Sequence, residues 1–502
     1  MKKVALFIIF IAFLIQNVLA QKERSNVWIT GYSGNKIDFS NNNTTTSQGI
    51  YFPFKYFHFG NSNISDTSGH LILSSDGYNV YNSNGSYIDG GDTLVPHDLY
   101  IAYNGWSTES QTSIFLPMDS NKYYFVTPTF SDTRFADCQA NNNCYMDLLL
   151  YSIIDMNSNG GAGKVVKRMQ PLMQNANLRK TQMMACRHGN GKDWWLLKNE
   201  GDNANVHTFL FTQDSVYDKG IQAFAQPNWG PWDIRGQSTF NTDGSLYATT
   251  SHSMGTGLIF LANFDRCHGL LSNPIILQTP TNSQQNPNDT TWTESLSVGL
   301  AFSPSNKFLY VASKSNIYQY DLEDNTWFHV YGIDTSFLQF TDYETAYLAP
   351  DNKIYIGNFG GGSKQMSRID NPDIKGAGCN FCPRCLRLDS LGANAYVGTP
   401  PCMPNYGLGA QVCWPLESSE IGDKRLETLE VYPNPSSTYI DVSYEIRDKR
   451  NATIEMYNAI GQQVYSSQLS HLSAHISIDI RHLTQGMYYL RVENQIKKII
   501  VE

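Results

Sequence analysis

The feature that most constrains this chain is a short phrase of strand, turn and strand that the sequence repeats. Its clearest copy is Ala301–Ser313, AFSPSNKFLYVAS. Residues Pro304–Lys307 are typical of a tight turn, in which Asn tolerates a positive φ. The aromatic and branched side chains of Phe308–Val311 favour an extended strand. The phrase therefore predicts a β-hairpin.

Similar phrases occur over most of the chain. The other copies are Leu71–Tyr81, Phe115–Thr127, Cys186–Leu197, Phe240–Ala248 and Leu348–Gly357. The turn residues taken as equivalent are Gly77, Asn121, Gly191, Gly244, Asn306 and Asn352, which are 44 to 70 residues apart. The shorter gaps fit one propeller blade of about 40–50 residues, and the longer gaps require insertions.

The repeat predicts an all-β fold, a β-propeller over residues 21–413. About 360 residues from Tyr51 to Cys413 fit seven blades best, with six or eight as alternatives. A propeller closes its ring by pairing its first and last segments, so part of the N-terminal region is expected to complete the last blade. Ordinary hairpins in a β-sandwich are the alternative fold.

Composition excludes some partners. The chain has 502 residues, a net charge of −9 and no basic stripe, which argues against nucleic acid. The first 20 residues read as a cleaved signal peptide, because Lys2-Lys3 precede an apolar run from Val4 to Ile15. A membrane anchor is the alternative, but the run is short for a span of about 20 residues. We therefore expect an exported mature chain, without a transmembrane anchor, that passes through the periplasm.

Several phrases resemble those of a group of large secreted bacterial propeller proteins. They lie at Tyr151–Gly163, His188–Trp195, Ile317–Leu322 and Ile369–Asn380. The resemblance implies the propeller architecture and adhesive modules joined to it. It implies little about a ligand.

The end of the chain has a different pattern. A polar linker, residues 414–425, precedes Leu426–Glu502, where Ile440, Val442 and Tyr444 alternate with polar residues. Alternation of this kind indicates half-buried strands. About seven short strands in under 80 residues predict a small β-sandwich.

Three blocks of this tail resemble the C-terminal sorting domain of the type IX secretion system. They are Val431–Ser436, Tyr457–Val464 and Leu483–Val492. The positions that carry the resemblance are Tyr432, Pro433, Asn434, Pro435, Gly461, Gly486, Tyr488 and Leu490. The resemblance implies the type IX machinery as a partner, export across an outer membrane, and release or display at the cell surface. An ordinary C-terminal β-sandwich is the alternative.

One segment begins like a calcium loop. Asp155, Asn157 and Asn159 place oxygen side chains at alternate positions before Gly160. An EF-hand loop would need Glu at its twelfth position, where this chain has Val166. A plain blade turn is therefore expected, with calcium as the alternative, and no cofactor is predicted.

The nine cysteines suit an exported chain, in which disulfides are the default. We predict a disulfide between Cys138 and Cys144, in a polar segment expected to be an exposed loop tip. The other disulfide candidates are Cys379, Cys382, Cys385, Cys402 and Cys413. Free thiols are one alternative for all of these cysteines. Zinc or an iron–sulfur cluster is another, but Asp389 stands where a ferredoxin pattern would place a further Cys.

No catalytic motif for a zinc protease, a serine hydrolase or a nucleotide phosphate loop is present in the sequence. Trp229 and Trp232 lie in a loop rich in Pro and Gly and are weak candidates for stacking on a sugar ring; blade packing is the alternative. We expect a binding or adhesion module for a glycan or a protein. A hydrolase or lyase at the channel mouth and a structural surface component are the alternatives. Convergent His, Asp, Glu or Arg in the channel would favour the enzyme.

Overall fold

The computed structural model describes residues 21–502 except 33, 41–43, 50–54, 143, 202–203, 225–235, 251–257, 281–296, 314–315, 333–342, 359–362, 389–390, 392–395, 414–425, 447–451, 459–461, 470–472 and 493–494. The predicted signal peptide and linker lie outside the described residues. The chain divides into two compact units. The propeller unit ends at residue 408 and lacks residues 189–191, whereas the tail unit contains residues 189–191 and 409–502.

Within the part of the chain that the structure describes, the propeller unit contains seven antiparallel sheets. In every sheet but the first, the strands are hydrogen bonded in chain order, because tight turns join consecutive strands. The first strands of neighbouring sheets contact one another: Ser62–Ser65 contacts Ile114–Pro117, Leu178–Arg187 contacts Ser238–Phe240, Ser238–Phe240 contacts Ser297–Phe302, and Ser297–Phe302 contacts Tyr343–Leu348. The prediction of a β-propeller with seven blades is therefore confirmed.

The blades are numbered in chain order. Blades 1 to 3 consist of β1 Val27–Tyr32, β2 Asn35–Asp38, β3 Thr45–Ser47 and β4 Tyr56–Phe57; β5 Ser62–Ser65, β6 Leu71–Ser75 and β7 Val80–Asn82; and β8 Ile114–Pro117, β9 Lys122–Thr129, β10 Leu148–Asp155 and β11 Lys164–Met173. Two helices lie between these strands, α1 His97–Ala102 and α2 Asp132–Asn141.

Blades 4 to 7 have four strands each. They are β12 Leu178–Arg187, β13 Trp194–Glu200, β14 Val206–Phe211 and β15 Val216–Gln222; β16 Ser238–Phe240, β17 Leu246–Thr250, β18 Leu258–Asp265 and β19 Leu270–Gln278; β20 Ser297–Phe302, β21 Phe308–Ser313, β22 Asn316–Asp321 and β23 Thr326–Gly332; and β24 Tyr343–Leu348, β25 Ile354–Asn358, β26 Gln365–Ile369 and β27 Phe381–Arg387.

The repeated hairpins occupy equivalent places with one exception. Asn306 and Asn352 join the first and second strands of blades 6 and 7, and both have a φ of 62°. Gly77 instead lies between the second and third strands of blade 2, so its predicted equivalence is wrong. There the buried Asp76 carboxylate accepts hydrogen bonds from the Tyr78 amide and the Tyr81 hydroxyl. Such local turn chemistry identifies a turn but not its place in a blade.

The ring is closed by both ends of the propeller unit. The N-terminal strands form blade 1 beside blade 7, rather than completing the last blade as expected, and the Trp28 and Tyr355 rings lie 5.6 Å apart. The closing segment, residues 396–408, then returns to blade 1. The Thr399 amide donates to the His58 carbonyl at 2.9 Å, and the Thr30 hydroxyl donates to the Thr399 carbonyl at 2.9 Å.

Large aromatic side chains fill the space between blades. Trp194 and Trp195 are buried, and their indole N–H groups donate to the carbonyls of Pro117 and Arg266. Burying an indole with its N–H paired avoids the cost of an unsatisfied donor. These two tryptophans therefore serve blade packing.

The tail unit is a sandwich of seven strands, as predicted. They are β28 Leu426–Tyr432, β29 Tyr439–Ile446, β30 Ala452–Asn458, β31 Gln463–Leu469, β32 Ser473–Asp479, β33 Gly486–Val492 and β34 Gln495–Val501. One sheet has the order β28-β29-β32 and the other the order β31-β30-β33-β34. Their core contains Ile440 and Val442 from one sheet and Met456 and Leu490 from the other. Among the described residues of the chain, no helix is long and apolar enough to span a membrane.

Candidate functional site

A cavity of about 330 Å³ lies on the end face of the propeller, which we define as the face where the innermost strands end. Its walls come from the ends of β12, β16, β20 and β24, from the closing segment and from the N-terminal residues. Four innermost strands end beside one another here, and Trp28 of β1 adds blade 1, so five blades contribute to one cavity. We call it the end-face pocket.

The walls of the end-face pocket are mainly apolar. The largest wall side chains are Trp28, Phe240, Phe302, Tyr347, Leu348, Met403 and Leu408. Lys22 is the one Lys or Arg in the wall, and no Asp, Glu or His of the described residues lines it. Burial raises the pKa of the Cys186 thiol to about 12, so this wall residue is a neutral thiol at physiological pH.

Most polar side chains of the pocket already form hydrogen bonds within the surrounding turns. The Asn405 side-chain amide donates to the Thr242 carbonyl at 2.8 Å, and the Thr242 hydroxyl donates to Asn306 Oδ1 at 2.7 Å. The Trp28 indole N–H differs, because it is buried and has no hydrogen-bond partner among the described residues. It is therefore an unused donor beneath the pocket wall, which a ligand acceptor or a water molecule would satisfy after a small shift of that wall.

Polar contacts across the channel hold the pocket wall. Tyr347 is a wall residue, and its hydroxyl accepts from Gln111 Nε2 at 3.1 Å. The same Gln111 amide donates to the Ser238 carbonyl at 2.8 Å, which links blades 5 and 7 through the loop before blade 3. Cys402 of the closing segment is buried beside them, and burial raises the pKa of its thiol to about 12. These residues fix the inner wall of the pocket.

A second surface feature is an aromatic cluster near the opposite ends of the strands. Tyr32 lies 4.9 Å from Tyr56 and 4.8 Å from Tyr396, measured between ring centroids. The His58 ring lies 4.6 Å from Trp106. His58 is buried, and its Nδ1 has no hydrogen-bond partner among the described residues. Burial lowers the pKa of His58 to about 4, which keeps the imidazole neutral.

No pattern in the sequence indicated this aromatic cluster. Its members come from β1, from the chain around β4, from the loop before β8 and from the closing segment. Tyr32 and Tyr396 are far apart in the chain and meet only because the ring closes there. Tyrosines are common along the whole chain, so composition could not single out these rings.

The buried carboxylates of the channel lie outside the end-face pocket. Glu109 is buried and pairs with Lys180, whose Nζ lies 3.2 Å from Glu109 Oε1. Glu344 is buried and accepts from the Ser110 hydroxyl at 3.4 Å. Neither residue lines the pocket.

Other predicted site residues have varied outcomes. Trp229 and Trp232 lie outside the described residues. Asp155 ends β10, and its Oδ1 accepts from the Asn157 amide at 2.9 Å, while Asn159 continues the turn with a φ of 54°. No group of three His, Cys, Asp or Glu suited to a metal occurs among the described residues. The segment therefore has the geometry of a turn stabilised by its own carboxylate.

The structure joins Cys138 to Cys144 and Cys382 to Cys385. The first pair lies at the C-terminal end of α2 rather than at the expected loop tip, and Asn142 ends that helix with a φ of 57°. Cys413 is also disulfide-bonded, and so is Cys267, which the sequence did not single out.

Two disulfide candidates are wrong, because Cys379 and Cys402 are buried free thiols. Cys379 belongs to a core cluster of blades 6 and 7, whereas Cys402 lies in the channel. Closeness in the chain did not bring either sulfur to a partner.

The sorting residues organise the tail sandwich. The Asn434 side chain forms two hydrogen bonds with the backbone of β34. Its amide nitrogen donates to the Lys498 carbonyl at 2.6 Å, and its Oδ1 accepts from the Ile500 amide at 2.9 Å. The Tyr488 hydroxyl donates to the Thr484 carbonyl at 2.8 Å, and Leu490 is fully buried. Both peptide bonds before Pro433 and Pro435 are cis. Gly486 begins β33, and Gly461 lies outside the described residues.

Residues 430–502 match the family described as the secretion system C-terminal sorting domain. The chain is therefore a β-propeller protein with a type IX sorting domain, exported by that system to the cell surface or outside the cell. The comparison with curated proteins found no match.

Several solved structures match the chain at low similarity. The periplasmic gluconolactonase PpgL of Pseudomonas aeruginosa is 11% identical, with 84% of this chain and 95% of that chain covered and a TM-score of 0.37. A putative 6-phosphogluconolactonase from Bacteroides uniformis is 12% identical, with 74% and 90% covered and a TM-score of 0.32. Apo AztD from Citrobacter koseri is 11% identical, with 75% and 96% covered and a TM-score of 0.35. Similarity at this level gives no information about the activity of this chain.

Proposed function

We propose that the exported propeller is a binding module that captures a neutral glycan in the end-face pocket. The observation that carries the proposal is the pocket itself, a concave site with aromatic and aliphatic walls and one buried, unused donor, the Trp28 N–H. Its volume of about 330 Å³ is at the lower end of the range for ligand sites, roughly 300–1,000 Å³. One or two sugar rings suit a site of this size.

The wall chemistry favours a sugar over a charged ligand. The half-buried Phe240 ring offers a flat apolar face, which matches the apolar face of a sugar ring, and the half-buried Leu348 and Met403 add aliphatic surface. A ring oxygen or hydroxyl would accept the hydrogen bond from Trp28 once a small shift of the wall opens this donor. A strongly charged ligand would enter an apolar site with Lys22 as its one charged neighbour, and desolvation of that ligand would oppose binding.

Binding is favoured over hydrolysis in this pocket. A glycosidase needs two carboxyl groups about 5–10 Å apart on either side of the bond that it cleaves. No described carboxylate lines the pocket, the Cys186 thiol is neutral, and burial raises the pKa of the Tyr347 phenol well above its usual value. A general acid and base at neutral pH would therefore have to come from the ligand or from elsewhere.

The test is a glycan-array screen of the full exported chain, followed by calorimetry with the best ligand. Met403→Ala removes a half-buried wall contact, and we expect affinity to fall about 5- to 10-fold, as the loss of a few apolar groups does. Trp28→Phe keeps a ring but removes the donor, and we expect a loss of about 10-fold. Leu322→Ala, a half-buried change outside this pocket, is the matched control.

Two results would contradict the proposal. In the first, the pocket variants bind as the wild type does, while Trp106→Ala in the aromatic cluster abolishes binding. In the second, the bound glycan is cleaved by the wild-type chain but not by a Glu109→Gln variant.

A further inference from the structure

The disulfide between Cys382 and Cys385 lies in a bulge of an edge strand. In blade 7, Cys382 is opposite Arg368 and Leu386 is opposite Met366, so Ser367 alone faces the three residues between them. Within the bulge Arg384 has a φ of 56°, and its amide donates to the Ser367 hydroxyl at 3.1 Å. Bulges of this kind redirect side chains and are enriched at functional sites.

The bulge is on the outer rim of the propeller. β27 is the last strand of its sheet and pairs with β26 on one side only. Pro383 is exposed, and Cys382 and Cys385 are half-buried. In the other short disulfide, Cys138 is buried and Cys144 is half-buried. A dissolved thiol can therefore approach both sulfurs of the bulge disulfide, but one sulfur of the other pair.

Two further properties distinguish the bulge disulfide from a structural one. Its two intervening residues close a very short loop, so the bond constrains the unfolded chain little. Arg384 lies between the two cysteines in the chain and Arg387 follows them. A nearby guanidinium stabilises a thiolate, which makes that cysteine a better leaving group in exchange.

We propose that Cys382 and Cys385 form a thiol–disulfide exchange site for thiol-bearing partners, either small thiols or protein dithiols. An incoming thiolate attacks one sulfur, a mixed disulfide forms, and the Cys382–Cys385 bond breaks. Its electron pair leaves on the other cysteine, which takes up a proton. A second external thiolate then resolves the mixed disulfide, so that two external thiols are oxidised to a disulfide and the protein pair is reduced. This role is independent of ligand binding in the end-face pocket.

The test is a reductant titration of the full chain, with the free thiols alkylated and mapped by mass spectrometry. We expect Cys382 and Cys385 to be half reduced at a dithiothreitol concentration at least 10-fold below that needed for Cys138 and Cys144. The second pair is the internal control, because it too closes a short loop. Equal resistance of the two pairs would overturn the proposal.

Two variants test the chemistry itself. Cys385→Ser leaves Cys382 alone, and we expect oxidised glutathione to form a mixed disulfide there that excess thiol reverses. Arg384→Gln should slow exchange several-fold while the unfolding midpoint stays unchanged. If Cys385→Ser forms no mixed disulfide, or if the reduced wild-type pair binds zinc tightly and exchange is blocked, the site is not an exchange site.

Discussion

Gln237 is expected to contribute strongly to the stability of the propeller. The residue is fully buried, just before β16, and its side chain bridges the inner strands of blades 6 and 7. Its Nε2 donates to the carbonyls of Leu300 at 3.0 Å and Ala346 at 2.7 Å. Its Oε1 accepts from the Leu300 amide at 3.0 Å and the Ala346 amide at 2.9 Å. One side chain thus satisfies backbone groups on two neighbouring blades.

The substitution Gln237→Leu keeps the approximate size of the side chain but removes all of these bonds. Two amides and two carbonyls then remain buried without this partner, and each lost bond costs about 1 kcal/mol or more. We therefore expect the free energy of unfolding to fall by about 4 kcal/mol. The exposed Gln278→Leu change on β19 is the matched control, with an expected effect within about 0.5 kcal/mol.

Urea unfolding followed by tryptophan fluorescence reports mainly on the propeller, since eight of the nine tryptophans belong to the propeller unit and Trp414 is the exception. A shift of the midpoint at an unchanged slope would report stability rather than compactness. A loss below about 1 kcal/mol for Gln237→Leu would refute the reasoning, because it would mean that water replaces the glutamine amide at no cost.

The remaining predictions concern export and pH. Deleting residues 426–502 should leave the chain in the periplasm with its propeller folded, as measured by fractionation and fluorescence; normal arrival of the truncated chain at the surface would contradict this. Burial lowers the pKa of His58 from 6.5 to about 4. Between pH 4 and pH 6.5 the unfolded state therefore binds a proton at His58 more readily than the folded state does. The contribution of His58 to stability should therefore fall by about 2 kcal/mol from pH 7 to pH 5, by about 1 kcal/mol more from pH 5 to pH 4, and change little below pH 4. His58→Phe should remove this loss, and an identical pH profile in the variant would refute the assignment.

Much of the fold could be predicted from local patterns. The turn at Asn306 and the strand after it depend on backbone preferences of a few neighbouring residues, and alternation at Ile440 and Val442 reports one buried face of a strand. The sorting blocks are likewise continuous stretches of sequence. Short-range chemistry of this kind is the same in an isolated hairpin as in the finished ring, so the sequence alone determined the hairpins, the propeller class and the tail sandwich.

The site depended on the tertiary structure. Trp28 reaches the pocket with Phe240 and Met403 only after seven blades close, and Tyr32 meets Tyr396 only at that closure. The same ring separates Cys379 from Cys402, which the sequence had grouped together. In each case the contacts join residues from different blades, whose distances are set by the number and packing of the blades. No local preference encodes those distances, so only the folded ring decides which side chains converge.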